Sequence, residues 1–247
     1  MLYYLIIRMF KVKKIKTMQF LAKNSIIFFL FFVLFACTKE PVNTPVSVYC
    51  NIINEKLYSF SRLSNFEKKK FNELKKSRFS KYKDNFVEAA QIFDIEWELL
   101  AAVSFQESQW NPKARSATQV KGMMMLTLPT AASVGVTNRL DPIQSIYGGA
   151  QYLSDLKKNT NFGTSSGDKI AFVLAAYNLG ITNVNNAIVD LNKKTTEITW
   201  LDLEEHLLNL KTSMDSESYS RGQQTVDFVE RVRDYYYLLL AQNCGIS

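Results

Sequence analysis

Histidine is almost missing from this chain: His206 is the only one in 247 residues, and the three cysteines, Cys37, Cys50 and Cys244, stand far apart. A zinc site needs His, Cys or carboxylate ligands in a cluster, so this pattern supplies no metal site and points to no cofactor. Glycine and proline are sparse as well, nine and five residues, while 47% of the chain is hydrophobic. Those figures exclude collagen-like, mucin-like and largely disordered chains. Long stretches of alternating apolar and polar residues are also lacking, which argues against a sheet.

A formal charge of +7 suggests nucleic acid until its position along the chain is traced. Residues 1–36 carry six basic side chains and no acid, residues 55–83 carry a surplus of seven positive charges, and the chain from Asp84 onward carries a surplus of six negative ones. The largest zone is therefore acidic. If the first zone is removed, the balance from Cys37 falls to +1, and the case for a nucleic-acid partner disappears.

The first zone has the layout of an export signal. Basic residues through Lys23 precede the apolar run from Ile26 to Ala36, then Cys37. Eleven apolar residues make about 16 Å of helix, short for a bilayer span. Leu34-Phe35-Ala36-Cys37 resembles a lipobox. That resemblance implies a lipoprotein signal peptide over residues 1–36, lipidation of Cys37, and attachment to the periplasmic face of the outer membrane. Export exposes Cys50 and Cys244 to an oxidising compartment, where they pair or stay free; sequence alone leaves both open.

Pro41 to Pro45 reads as part of a tether over residues 37–54. Phe60, Leu63, Phe66, Phe71, Leu74 and Phe79 recur at roughly helical spacing among lysines, so residues 55–83 read as a basic amphipathic helical arm. Its lysines either meet an anionic surface or simply face water. Beyond residue 84 the pattern is helical almost throughout. Asp94 is expected as an N-cap, Asn111-Pro112 as a stop, Asp141-Pro142 and Asp168 as later helix starts. Gly148-Gly149 inside a helical stretch implies a neighbour packed tightly against the backbone.

On a helical wheel Glu107 lies on the stripe of Leu100, Val103 and Trp110. A carboxyl aimed at a core is paired, or at a rim, or kept protonated by desolvation, and the last state is what a general acid needs. Periodicity alone leaves a structural and a catalytic Glu equally open. The surrounding residues decide between them. Glu107-Ser108-Gln109-Trp110-Asn111-Pro112, Ser116, the run Gly122 to Thr127, and Ala175-Ala176-Tyr177-Asn178-Leu179-Gly180 together resemble the soluble-lytic-transglycosylase domain, a goose-lysozyme-like family. The likeness is nearest to the F type of membrane-bound murein transglycosylases and spans about residues 78 to 240.

This resemblance implies a mainly α, lysozyme-like helical catalytic domain over residues 84–242, with at most a small β element near residues 113–127. Its substrate would be peptidoglycan glycan strands. Glu107 would be the sole catalytic acid and base, with Ser116, Met124, Met125, Thr127, Tyr177, Asn178, Tyr219 and Gln224 binding substrate. Gln119 stands where the family usually has Gly, so a turn there is expected to need a positive φ. Gln224 stands where the family has Glu. Ordinary glycosidases use two carboxyl groups. The implied reaction uses one: Glu107 protonates the oxygen between N-acetylmuramic acid and N-acetylglucosamine, then takes a proton from the muramoyl 6-hydroxyl as it closes to a 1,6-anhydro ring. Two alternatives remain: a muramidase hydrolysing the same bond, and a non-catalytic peptidoglycan-binding lipoprotein.

Overall fold

A computed structural model describes residues 45–59, 61–116, 119–209 and 216–245. The expected signal peptide, the Cys37 lipidation site and residues 37–44 of the tether lie outside the described residues. Ten helices appear among the described residues: α1 (Pro45–Ser59), α2 (Asn65–Ser77), α3 (Lys83–Phe93), α4 (Trp97–Ser108), α5 (Leu128–Ser133), α6 (Pro142–Asn159), α7 (Ser166–Leu179), α8 (Ile181–Asp190), α9 (Trp200–Asn209) and α10 (Ser216–Asn243). The only β pairing among them is two isolated antiparallel bridges, Arg115 with Lys121 and Lys121 with Leu126. This is the helical class and the minor β element expected from the resemblance. No helix of the described residues is long and apolar enough to cross a membrane.

Helix α4 is the axis of the fold. Leu100 to Phe105 are buried in succession, all round the helix, because α3, α6 and α10 pack against it. Helix α10 continues onto α7 and α9, and α6 packs on both α3 and α7. Gly149 makes the approach to α6 possible: a Cβ there would lie 2.6 Å from Met124 Cγ, and one at Gly148 would lie 2.3 Å from Val136 Cγ2. The glycine pair is a contact surface, as its cost to the helix implied.

Below α4 lies an aromatic cluster. Phe71 of α2 stacks on Tyr235 of α10 at 5.5 Å, and Phe105 and Trp110 sit 4.7 and 5.2 Å from Phe71. Phe79 adds a contact of 4.9 Å to Trp110. Each large ring removes enough apolar area from water to be worth roughly 2–3 kcal/mol. Helix α2 is started by a full capping box, Ser64 with Glu67, and Glu67 also pairs with Arg231 of α10. Cys50 and Cys244 are disulfide-bonded across Cα atoms 5.5 Å apart, which ties α1 to the end of α10.

Three helix boundaries differ from the sequence reading. Asp94 has φ of +52° and closes α3 in the left-handed region, while Glu96 precedes α4. A short polar side chain tolerates that conformation, so Asp94 serves a C-cap instead of an N-cap. Ser165 caps α7, with Asp168 as its capping-box partner three residues in. Helix α4 ends at Ser108, because Gln109 and Trp110 adopt φ of +53° and +56°. Two left-handed non-glycine residues in a row cost about 1–2 kcal/mol each. Burial of Trp110, whose Nε1 donates to Ala101 O at 2.9 Å, offsets that cost.

Candidate active site

Glu107 is the penultimate residue of α4, where the helix leaves the core. Its side chain keeps partial exposure. Protein crowds the carboxyl nonetheless, and this burial pushes it up to about 8 from its ordinary value of 4.5. A carboxyl in that state is protonated at neutral pH and still reachable from one side. The helix end below it is held from two directions: Arg78 Nη1 donates to Gln109 O at 3.1 Å, and Ser108 Oγ donates to Met123 O at 2.8 Å.

Residues 114–116 and 119–127 form a wall beside α4. Gly122 turns at φ +86°, and a Cβ on it would lie 1.7 Å from Arg139 O, so glycine alone fits. Gln119 adopts φ +66°, the strained turn that its replacement of glycine implied. Arg139 secures that turn: its Nη1 donates to Gln119 O at 2.9 Å and to Leu126 O at 2.8 Å. Ser116 and Thr127 stand at the two ends of the wall. Ser116 Oγ accepts from Val120 N at 3.3 Å, and Thr127 Oγ1 accepts from Thr130 N at 3.1 Å as the cap of α5.

The methionines divide. Met123 and Met124 are fully buried, whereas Met125 is half-buried with φ +47°. This corrects the expectation for Met124, whose side chain packs into Gly149 and cannot meet a ligand. Its backbone is what the site uses. Met124 N donates to Ser145 Oγ at 3.1 Å, and Met124 O accepts from Tyr177 Oη at 2.7 Å.

Tyr177 is the link between the wall, α7 and α10. Its ring stacks on Phe228 at 6.2 Å and meets Tyr152 at 5.3 Å. Burial, the nearby Glu107 charge and Tyr152 together hold its phenol well above the ordinary value. It is therefore a neutral phenol near Glu107, its proton given to Met124 O and its oxygen left to accept. Next to it, Asn178 is exposed, and its Oδ1 accepts from the buried Thr225 Oγ1 at 3.0 Å. Gln224, one residue before Thr225, faces solvent on α10. The Tyr219 side chain lies outside the described residues. Glu107, Tyr177 and the Met124 backbone are thus brought together, with Asn178 and Thr225 adjoining. A larger cavity of 670 Å³, lined by Ile95, Leu99, Leu153, Ile170 and Val173, opens at the other ends of α4 and α7, and Glu107 does not line it.

Sequence reasoning missed Tyr152, Arg139, Ser104 and Ser108. The last two, four residues apart on α4, both donate to Met123 O, at 3.2 and 2.8 Å. Their spacing on the edge of the Glu107 stripe was the available signal. Nothing local announces Arg139 or Tyr152, which act across the fold.

Residues 84–199 match the family model for the transglycosylase SLT domain. Residues 84–199 are a transglycosylase SLT domain. Among the relatives of this SLT chain, "Membrane-bound lytic murein transglycosylase F" of Shewanella loihica is 41% identical over 198 residues, 76% of this chain and 40% of its own. The protein of the same name from Photobacterium profundum is 41% identical over 169 residues, 66% of this chain and 31% of its own. The SLT chain thus spans less than half the length of these relatives. Among solved structures, an inactive mutant of lytic transglycosylase Slt from Pseudomonas aeruginosa aligns with a TM-score of 0.50 at 21% identity, over 67% of this chain and 24% of that one. That likeness is one of fold, the lysozyme-like helical domain.

Proposed function

We propose that this SLT chain is a peptidoglycan lytic transglycosylase in which Glu107 is the sole acid and base. The observation that carries this reading is the Glu107 carboxyl, pushed up to about 8 by burial while one side of it stays open. An acid of that strength keeps its proton at neutral pH and can deliver it to the oxygen between N-acetylmuramic acid and N-acetylglucosamine. Once ionised, Glu107 is a base strong enough to draw the proton from the muramoyl 6-hydroxyl. That hydroxyl closes onto the anomeric carbon and leaves a 1,6-anhydromuramoyl end. An internal nucleophile replaces water, and the gain is effective molarity, provided the ring is held for attack.

Holding the ring falls to the groups around Glu107. In this reading Tyr177, fixed by the Met124 carbonyl, orients the carboxyl and the sugar; Ser116, Asn178 and Gln224 hydrogen-bond the glycan; Met125 and Thr127 border the cleft. Tyr219, whose side chain lies outside the described residues, is included on the resemblance alone. Met123 and Met124 act from behind, as the apolar backing that keeps Glu107 desolvated. Met124 contributes its carbonyl in place of the side-chain contact first expected.

The same reading places residues 1–36 as a lipoprotein signal peptide and Cys37 as the lipidated first residue of the mature chain. Residues 37–54 then form a tether whose second part is the helical start of α1, held to the end of α10 by the Cys50–Cys244 bridge, residues 55–83 a basic arm, and residues 84–242 the catalytic domain at the periplasmic face of the outer membrane. The relatives' names call those proteins membrane-bound, which agrees with an anchored enzyme. Digestion of purified peptidoglycan followed by product mass measurement tests the chemistry. Fragments lighter by one water than hydrolytic products are expected. Hydrated reducing ends overturn the non-hydrolytic mechanism, and no soluble fragments at all overturn the enzyme assignment.

A further inference from the structure

Phe228 and Thr225, which meet Tyr177 and Asn178, lie on a strip of α10 that runs back to Arg221. Phe228 and Arg221 are seven positions apart, about 10 Å along the helix. At Arg221, α7, α8, α9 and α10 enclose a pocket of 180 Å³ whose walls include Leu179, Asn183, Asp190, His206 and Arg221. Glu107 is not part of it. Gly222 shapes the pocket, because a Cβ there would fall 2.3 Å from Leu207 O and hold α10 away from α9.

Asn183 is used by the fold, its Nδ2 donating to Leu179 O at 2.7 Å, but the charged groups of the pocket are not. Arg221 is exposed, with no ion-pair or side-chain hydrogen-bond partner among the described residues. Asp190 Oδ2 stands 3.8 Å from His206 Nε2, too far for a hydrogen bond, and that nitrogen is shut off from water without a partner among the described residues. A buried donor left unmet costs roughly 1–3 kcal/mol, which an oxygen brought within reach recovers. Sites for drug-sized ligands start at about 300 Å³. A pocket of 180 Å³ is too small for a disaccharide and suits one amino-acid residue.

We propose that this pocket binds the end of the peptide branch carried by the glycan strand where that end is a diamino-acid residue, whose carboxylate meets Arg221 and whose free side-chain ammonium meets Asp190. The proposal rests on the reading of the chain as a peptidoglycan enzyme. A guanidinium and a carboxylate across a small space complement a ligand bearing both charges. Drawing Asp190 inward onto the ammonium also brings its second oxygen toward His206 Nε2. Leu179, Ala187 and Leu207 supply the apolar remainder of the wall, suited to the methylenes of such a side chain.

The test uses the full chain on intact peptidoglycan strands and on the same strands stripped of peptide by an amidase. For the wild type, KM on peptide-bearing strands is expected about tenfold below that on stripped strands, the size of one charge-assisted bond. Arg221→Ala brings the ratio of the two KM values to about one, with kcat on each substrate following the wild type, and Arg221→Lys restores part of it. An unchanged ratio in Arg221→Ala overturns the peptide pocket, as does a wild-type ratio of one. Cleavage of neither substrate by the wild type overturns the activity itself. A second measurement separates the two failures. Glu107→Gln protein should bind a soluble muramyl tripeptide ending in a diamino acid about tenfold more tightly than peptide-free N-acetylmuramic acid, and equal affinities overturn the pocket whatever the activity.

Discussion

Replacing Glu107 by Gln exchanges a carboxyl for a carboxamide of nearly the same shape that can neither ionise nor deliver an acidic proton. The buried carboxyl titrates near 8 when folded, against an ordinary 4.5. The native state therefore holds its proton more tightly than the unfolded one. Linkage then requires that native stability be complete below about pH 4.5 and decline as pH rises toward 8. The full difference corresponds to roughly 5 kcal/mol at about 1.4 kcal/mol per pH unit. Partial exposure of the side chain lets water relax the charge, which reduces this to about 2–3 kcal/mol. Glu107→Gln escapes that decline. Urea unfolding at pH 4 should find variant and wild type equal within about 0.5 kcal/mol, and at pH 9 the variant should be more stable by about 2–3 kcal/mol. Activity of the variant on peptidoglycan should fall about a thousandfold, the scale of lost general acid catalysis. In the wild type, turnover should drop as pH rises through about 8, where the acid is lost. A stability difference that stays constant with pH would show that Glu107 is not desolvated. Retained cleavage would refute its role as the acid.

Three further substitutions address separate links. Tyr177→Phe removes the 2.7 Å bond to Met124 O; turnover should fall about 10- to 100-fold with a stability loss of about 1 kcal/mol, and unchanged turnover would sever Tyr177 from the site. Gln119→Gly should relieve the left-handed turn at φ +66° and raise stability by about 0.5–1 kcal/mol in thermal or urea unfolding, and a loss would show that the Gln side chain matters more than its backbone. Cys50→Ser with Cys244→Ser opens a closure between residues 194 apart in sequence; about 2–5 kcal/mol of stability should go, read as a lower urea midpoint, and an unchanged midpoint would deny the bridge any such share.

Much of the local plan is written in short-range pattern. Apolar spacing marks α4, α6, α7 and α10 as helices, Asp141-Pro142 marks the start of α6, where Asp141 accepts from Gln144 N at 2.8 Å, and the Gly148-Gly149 pair announces a close neighbour. Each of these signals lies within a few residues of what it controls. Asp94 and Asp168 show where such signals divide: a short acidic side chain serves several cap positions equally, and only the turn of the following chain selects among them. Glu107 was visible as a carboxyl on an apolar stripe, but its desolvation comes from protein contributed by the whole fold.

Tertiary packing settled the rest. Trp110 leaves the helix in a left-handed turn because its ring finds the Phe71, Phe79 and Phe105 cluster. Met124 turns inward because Gly149 leaves room for it, and its carbonyl becomes the seat of Tyr177 across 53 residues. Cys50 and Cys244 meet only because α1 and the end of α10 come together. The sequence by itself determined a helical chain with one carboxyl aimed where a charge is costly. The tertiary structure decided what surrounds that carboxyl, since desolvation, cross-chain hydrogen bonds and crosslinks depend on distances between segments that no local pattern encodes.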